Sequence, residues 1–259
     1  MKYPKKSLGQ NFLIDKNITY KIINLLNLSN KNIIEVGPGR GALTSEILKR
    51  KPKSIILIEK DKDLAKNLAN NYINNKKIII LNKDFLKFDL NSLKSKFIII
   101  GNLPYNISSQ ILLKIIREDN FAQKFNDLIF MFQKELGERI IGKFQSKNYG
   151  RLSIVSNYKL NVINKFLVSP NCFFPKPKVN SMVIHFKPKK RKNKIQNFKN
   201  LEKITQILFS NRRKMINKNL KKILTERKIK QIPNLKINHR PENLSPELYY
   251  KIAELYESG

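Results

Sequence analysis

The chain has 259 residues, is 41% hydrophobic and carries 52 Lys and Arg against 19 Asp and Glu, a formal net charge of +33 that attracts polyanions, nucleic acid first among them. Its single cysteine, Cys172, excludes an internal disulfide, and with only His185 and His239 beside it no cysteine–histidine metal cluster can be assembled. No apolar stretch reaches membrane-spanning length and the basic start lacks the apolar core of a signal peptide, so a cytoplasmic, metal-free protein with no membrane contact is expected.

A leading helix is marked by Ile18, Ile22, Leu25 and Leu26. From residue 33 onward the apolar runs at 33–36, 54–58, 78–81, 97–100 and 128–132 read as buried parallel strands. Between them Leu64, Leu68 and Tyr72, then Ile107, Ile111 and Ile115, recur at helical spacing, which predicts a doubly wound α/β sheet. Residues 161–169 and 180–187 read as two late strands, an antiparallel hairpin joined by the proline-rich 170–177 loop, for seven strands in all. The sheet domain is expected over 1–187, with 1–30 as its N-terminal segment and leading helix, and a basic linker over 188–195. The remainder, 196–259, reads as a helical domain with apolar stripes at Leu201, Ile204 and Leu208, at Ile216, Leu220, Ile223 and Leu224, and at Leu248, Ile252 and Leu255. Ser245 and Pro246 open the last helix as N-cap and first-turn proline. Arg212, Arg213, Lys214, Lys218, Lys221 and Lys222 form either a phosphate-contacting face or a solvated one, since an AT-rich coding sequence also inflates lysine.

Residues 35–41, Glu-Val-Gly-Pro-Gly-Arg-Gly, follow the first strand and open a helix. Their G-x-G-x-G spacing is not the dinucleotide fingerprint, and no P-loop Lys-Ser/Thr pair follows; Gly37 and Gly39 allow either close approach to a ligand or a tight strand–helix turn. Glu59 ends the second strand, where a ribose diol would sit, and Asp84 lies at the end of the third. A ligand with adenosine but no phosphate fits this set, S-adenosylmethionine first and NAD as its competitor. Asn102-Leu103-Pro104-Tyr105 follows the strand at 97–101, at the end that faces a ligand in such sheets. An amide, a proline-stiffened turn and an aromatic face suit a planar base held by its amino group. The Asn102 side-chain oxygen and the Leu103 carbonyl are the candidate acceptors for the amine hydrogens, with Pro104 fixing the turn and Tyr105 stacking on the base.

Gly9-Gln10-Asn11-Phe12-Leu13, the 35–41 loop, Asn102-Leu103-Pro104-Tyr105-Asn106-Ile107-Ser108 and Phe173-Phe174-Pro175-Lys176-Pro177-Lys178-Val179 occur in the order found in the KsgA/Dim family of ribosomal RNA adenine dimethyltransferases, which the chain resembles over nearly its whole length. The resemblance implies a Rossmann-like class I S-adenosylmethionine-dependent methyltransferase fold, with a seven-stranded mainly parallel sheet and a small C-terminal helical domain for RNA recognition. It also implies that Asn11, Leu13, Gly37, Gly39, Glu59, Asp84 and Asn102 bind S-adenosylmethionine, Glu59 on the ribose and Asp84 on the adenine amine. Phe173 is implied as the second aromatic wall opposite Tyr105, with Phe174 as its rival. The tail patterns at 211–220 and 240–245 resemble the small-subunit branch, so the expected partner is small-subunit ribosomal RNA in a ribosomal subunit precursor, and the expected state monomeric. The alternatives are a large-subunit methylase of the macrolide-resistance type, often with His where this chain has Phe174, and a non-catalytic nucleic-acid-binding factor on the same fold. Leu8, where the family commonly has phenylalanine, and Arg40 in the glycine loop are departures.

Overall fold

The computed structural model describes residues 4–5, 8–189 and 195–258. The chain divides into two compact units, 1–137 with 161–188 and 138–160 with 189–259.

In the first unit β1 (Phe12–Leu13), α1 (Lys16–Ile23), β2 (Asn32–Val36), α2 (Ala42–Lys49), β3 (Ser54–Glu59), α3 (Lys62–Asn71) and β4 (Ile78–Asn82) are followed by β5 (Phe97–Asn102), α4 (Ser108–Ile116), α5 (Phe121–Lys124) and β6 (Phe125–Gln133). The chain leaves through α6 (Lys134–Ile140) and α7 (Arg151–Lys159), then returns as β7 (Leu160–Val168), β8 (Phe173–Phe174) and β9 (Ser181–Pro188). Seven strands form one sheet in the order β4-β3-β2-β5-β6-β9-β7, in which β2 to β6 pair in parallel and β9 runs antiparallel to β6. The five apolar runs are the five parallel strands, and the two late strands are sheet neighbours. Ile33, Ile34, Ile55, Leu57, Ile99 and Ile100 are all buried because successive residues of a central strand face opposite sides and helices cover both. Asp15 and Asp61 start α1 and α3 by accepting first-turn N–H groups.

Gly101 sits where β5 passes closest to β2: a Cβ there would lie 2.7 Å from the Val36 carbonyl oxygen and 2.9 Å from Leu103 Cδ2. Backbone cannot yield as a side chain can, so Gly101→Ala is expected to cost about 1–3 kcal/mol of stability, read as a lower urea midpoint with an unchanged slope.

A two-stranded antiparallel ribbon was not legible from periodicity. β1 pairs with β8, Phe12 opposite Phe174 and Leu13 opposite Phe173, inside what reads as a plain proline-rich loop. Two-residue strands carry no alternation to detect.

The second unit holds α7 together with α8 (Phe198–Phe209), α9 (Asn217–Leu220), α10 (Glu226–Lys230) and α11 (Pro246–Glu257). The compact units therefore differ from the continuous division expected at 187, because 138–160 packs with the C-terminal helices. Tyr158 lies 6.0 Å from the Phe198 ring and 4.8 Å from that of Tyr250, while the Tyr149 and Tyr250 hydroxyls donate to the carbonyls of Leu244 and Ile154. Such a cluster buries large apolar rings and satisfies their hydroxyls together. Of the expected linker, 190–194 lie outside the described residues. The second tail helix is shorter than its stripe predicted: it ends at Leu220 and continues as turns to α10, although Ile216, Leu220 and Leu224 stay buried. Ser245 caps α11 as expected, accepting from the Leu248 N–H.

Candidate active site

Strand order reverses beside β2, with β3 on one side and β5 on the other, and at such a point the carboxyl ends of the strands splay open. A cleft of about 1110 Å³, its open mouth included, lies there. Asn11, Leu13, Gly37, Gly39, Glu59, Asp84, Asn102, Leu103, Pro104 and Tyr105 all line it. Ten positions spread over the first half of the chain are thus brought to one crevice.

The glycine loop leaves β2 with Gly37 and Gly39 at φ of +65° and +58°, left-handed values that side chains resist. A Cβ on Gly39 would also stand 3.1 Å from the Phe12 ring. The Gly39 N–H donates to Glu59 Oε2 at 3.0 Å and the Asp61 N–H to Oε1 at 2.8 Å, so the carboxylate is fixed in the cleft wall. Burial raises the Glu59 pKa above its ordinary value, opposed by those N–H donors. Asp84 behaves oppositely: Lys60, at 2.9 Å, holds its carboxyl below the usual range, and Oδ1 caps the following turn through the Leu86 N–H. Beneath the loop Glu35 is buried, accepts from Thr44 Oγ1 at 2.7 Å, and is pushed up to about 8 by desolvation.

Asn102 ends β5, and its Nδ2 donates to the Asn11 carbonyl at 2.9 Å. A carbonyl only accepts, so the amide nitrogen must face it, which leaves Oδ1 as the acceptor of the pair. The Asn11 Nδ2 donates to the Gly9 carbonyl at 3.3 Å, and the adjacent Gln10 is tied to Asp61. Asp61 accepts from Lys5 Nζ at 3.0 Å and from Gln10 Nε2 at 2.9 Å, and the Lys5 N–H donates to Gln10 Oε1. Tyr105 is fixed by a 2.6 Å hydrogen bond between its hydroxyl and Ser181 Oγ at the start of β9, and burial raises its pKa.

The Phe173 side chain is 3% exposed and packs in the apolar core with Leu13, Ile98 and Met131; of these Leu13 also lines the cleft, and Phe173 does not. Neighbouring residues of a strand point to opposite sides, so burying Phe173 turns Phe174 outward, at 48% exposure. Residue-type reasoning also passed over Asp61, Gln10 and Ser181. Asp61 had one signal, a carboxylate directly before a helical pattern; the other two act through contacts across long sequence separations and had none. Among the described residues no group of three or more His, Cys, Asp and Glu side chains is placed to hold a metal ion, and no helix is long and apolar enough to cross a membrane.

A family model described as ribosomal RNA adenine dimethylase matches residues 1–258. The chain is 44% identical over 255 residues to the ribosomal RNA small subunit methyltransferase A of Pelagibacter ubique (strain HTCC1062), covering 98% of this chain and 97% of that relative. It is likewise 44% identical over 256 residues to the protein of the same name from Francisella tularensis subsp. novicida (strain U112), covering 96% of each. Among solved structures it is similar to a dimethyladenosine transferase from Plasmodium falciparum, with a TM-score of 0.76 and 25% identity over 93% of this chain and 95% of that one. The 23S rRNA methyltransferase ErmE shares the fold at a TM-score of 0.68 and 21% identity over 95% and 99%. The sheet order and glycine-loop cleft are those of a Rossmann-like class I methyltransferase, and over its whole length the chain belongs to the ribosomal RNA adenine dimethylase family.

Proposed function

We propose that the protein transfers methyl groups from S-adenosylmethionine to the 6-amino groups of two adjacent adenosines near the 3′ end of small-subunit ribosomal RNA, giving dimethyladenosines during ribosome biogenesis in the cytoplasm. The observation that carries this reading is the Asn102 amide, whose nitrogen is committed to the Asn11 carbonyl and whose oxygen is left to accept an amine hydrogen beside Tyr105. The small-subunit target is supported by the name borne by relatives 44% identical.

Glu59 suits the ribose hydroxyls, Asp84 the adenine amine, and the open backbone at Gly37 and Gly39 close approach, with Asn11 and Leu13 covering the bound molecule. Two carboxylates in one wall fit a phosphate-free nucleoside better than one bearing pyrophosphate, which they would repel. Bound there, S-adenosylmethionine supplies a methyl group on a cationic sulfur. The acceptor adenine must leave its stack at a cost of a few kcal/mol, partly returned by stacking on Tyr105.

An adenine amine is a poor nucleophile because its lone pair is delocalised into the ring. Asn102 Oδ1 and the Leu103 carbonyl accept its two hydrogens and favour the pyramidal form in which the lone pair is localised. Pro104 holds the turn that aims them. The amine nitrogen forms its bond to the methyl carbon as the carbon–sulfur bond breaks, and the resulting ammonium loses a proton to water. No strong base is needed, and neither His185 nor His239 lines the cleft. In-line placement is the largest contribution, ~7–11 kcal/mol in favourable cases. Arg213, Lys214, Lys218 and Lys222, all exposed, suit RNA phosphates. The protein acts as a monomer in this reading: Lys165, exposed within edge strand β7, and the +33 net charge both oppose self-pairing.

Labelled S-adenosylmethionine supplied with unmethylated small and large ribosomal subunits tests the reading. Dimethyladenosine is expected in small-subunit RNA alone. Its appearance only in the large subunit overturns the target, and no transfer to any RNA favours a non-catalytic binding factor.

A further inference from the structure

Arg40 sits in the middle of the glycine loop, and the chemistry above does not use it. It lies between two glycines of positive φ, Gly39 and Gly41, so the loop turns sharply and presents the side chain at the cleft mouth, exposed. Its guanidinium stacks 4.4 Å from the centroid of the Phe12 ring and 5.9 Å from that of Phe174. Phe12 and Phe174 are directly opposed in the β1–β8 ribbon, yet their environments differ: Phe12 is 8% exposed against the loop, whereas Phe174 is 48% exposed. Beyond Phe174 the chain remains open to solvent, with Lys176, Lys178 and Val179 all exposed. An exposed aromatic face, an oriented guanidinium and flanking lysines are the components of a single-stranded nucleic-acid subsite.

We propose that Phe174 and Arg40 form a binding subsite for the nucleotide adjacent to the target adenosine, Phe174 stacking on its base and Arg40 pairing with the phosphate between the two. This rests on the RNA-methylation reading above and adds to it a second nucleotide position. When the target leaves the helix its neighbour loses a stacking partner on one side. An aromatic face at the cleft mouth replaces that partner and favours the flipped state. In a substrate with two adjacent adenosines, the neighbour is the other adenosine, so the unreacted base is held while its partner is in the pocket. Planar Arg also serves two roles that Lys cannot combine, stacking on the rings and pairing with phosphate.

The test uses the full chain with Phe174→Ala, Phe174→Tyr, Arg40→Ala and Arg40→Lys, measuring S-adenosylmethionine affinity by calorimetry and steady-state transfer to unmethylated small subunits at several salt concentrations. Phe174→Ala and Arg40→Ala are each expected to raise KM for the subunit about tenfold, with S-adenosylmethionine affinity within about twofold of wild type. Phe174→Tyr, which keeps the aromatic face, restores KM. Arg40→Ala lowers the salt slope of subunit binding by about one, and Arg40→Lys retains the slope while KM rises. Unchanged KM and salt slope in both alanine variants, with active wild type, overturn the subsite. Weakened S-adenosylmethionine binding in step with transfer also overturns it, by showing that the pair only shapes the glycine loop. Failure of the wild-type protein to methylate any RNA defeats the functional reading instead, so the two failures are distinct.

Discussion

Asn102→Ala is expected to lower methyl transfer to small subunits by about 100- to 1000-fold, the usual effect of removing one hydrogen-bonding group aimed at a transition state. The loss arises from two sources. The Oδ1 acceptor for the amine disappears, and the Asn11 carbonyl, 2.9 Å from Nδ2 in the intact protein, loses its donor, which loosens the lining segment around Asn11. An acceptor left unpaired in a partly closed site costs about 1–3 kcal/mol, so S-adenosylmethionine affinity should weaken modestly as well. Subunit binding should persist, because exposed basic side chains distant in sequence from Asn102 carry it. Asn102→Asp is expected to be as inactive, since a carboxylate cannot donate to the Asn11 carbonyl. Single-turnover transfer and filter binding of the same preparations separate the outcomes. Transfer within tenfold of wild type would remove Asn102 from the acceptor role; loss of subunit binding together with transfer would make the residue structural.

The second large effect concerns stability and pH. Glu35 is 1% exposed, and burial pushes its pKa up to about 8 from an ordinary 4.5. The folded protein therefore keeps this proton over a range in which the unfolded chain releases it. The Glu35 contribution to stability is complete below the unfolded-state value and is lost as pH rises through the interval up to about 8, at up to ~1.4 kcal/mol per pH unit. Glu35→Gln carries no titrating proton and keeps an oxygen for the Thr44 hydroxyl, which donates at 2.7 Å in the native protein. The stability of the variant relative to wild type should rise with pH across that interval by several kcal/mol. Urea unfolding of both proteins at matched pH values measures it. Parallel profiles would mean that Glu35 is ionised in the folded state, with a compensating cation or water beside it.

Much of the molecule was legible because its signals are local. The largely apolar runs at 33–36, 54–58 and 97–100 suit strands covered on both faces, and helical stripes between them require crossovers. Gly37, Glu59 and Asn102 each follow an apolar run, so their convergence on one crevice follows from the topology of a parallel sheet. The illegible parts depend on distant partners. Whether Phe173 or Phe174 faces outward is set by the register of a two-residue ribbon with Phe12 and Leu13, residues far away in sequence. The grouping of 138–160 with the C-terminal helices rests on Tyr149 and Tyr158 meeting Leu244, Tyr250 and Phe198. The second tail stripe kept its buried positions without a continuous helix, since burial constrains side chains more tightly than backbone conformation.

By itself the sequence determined the sheet, its crossover pattern and the residue types around the cleft, because burial periodicity and turn chemistry are written within a few residues of each strand. Only the tertiary structure decided which way the Asn102 amide points, which phenylalanine is core and which is exposed, and that Arg40 stacks at the cleft mouth. Each of these depends on a hydrogen bond or ring contact between segments that the chain order keeps far apart, and such contacts exist only once the sheet has brought their ends together.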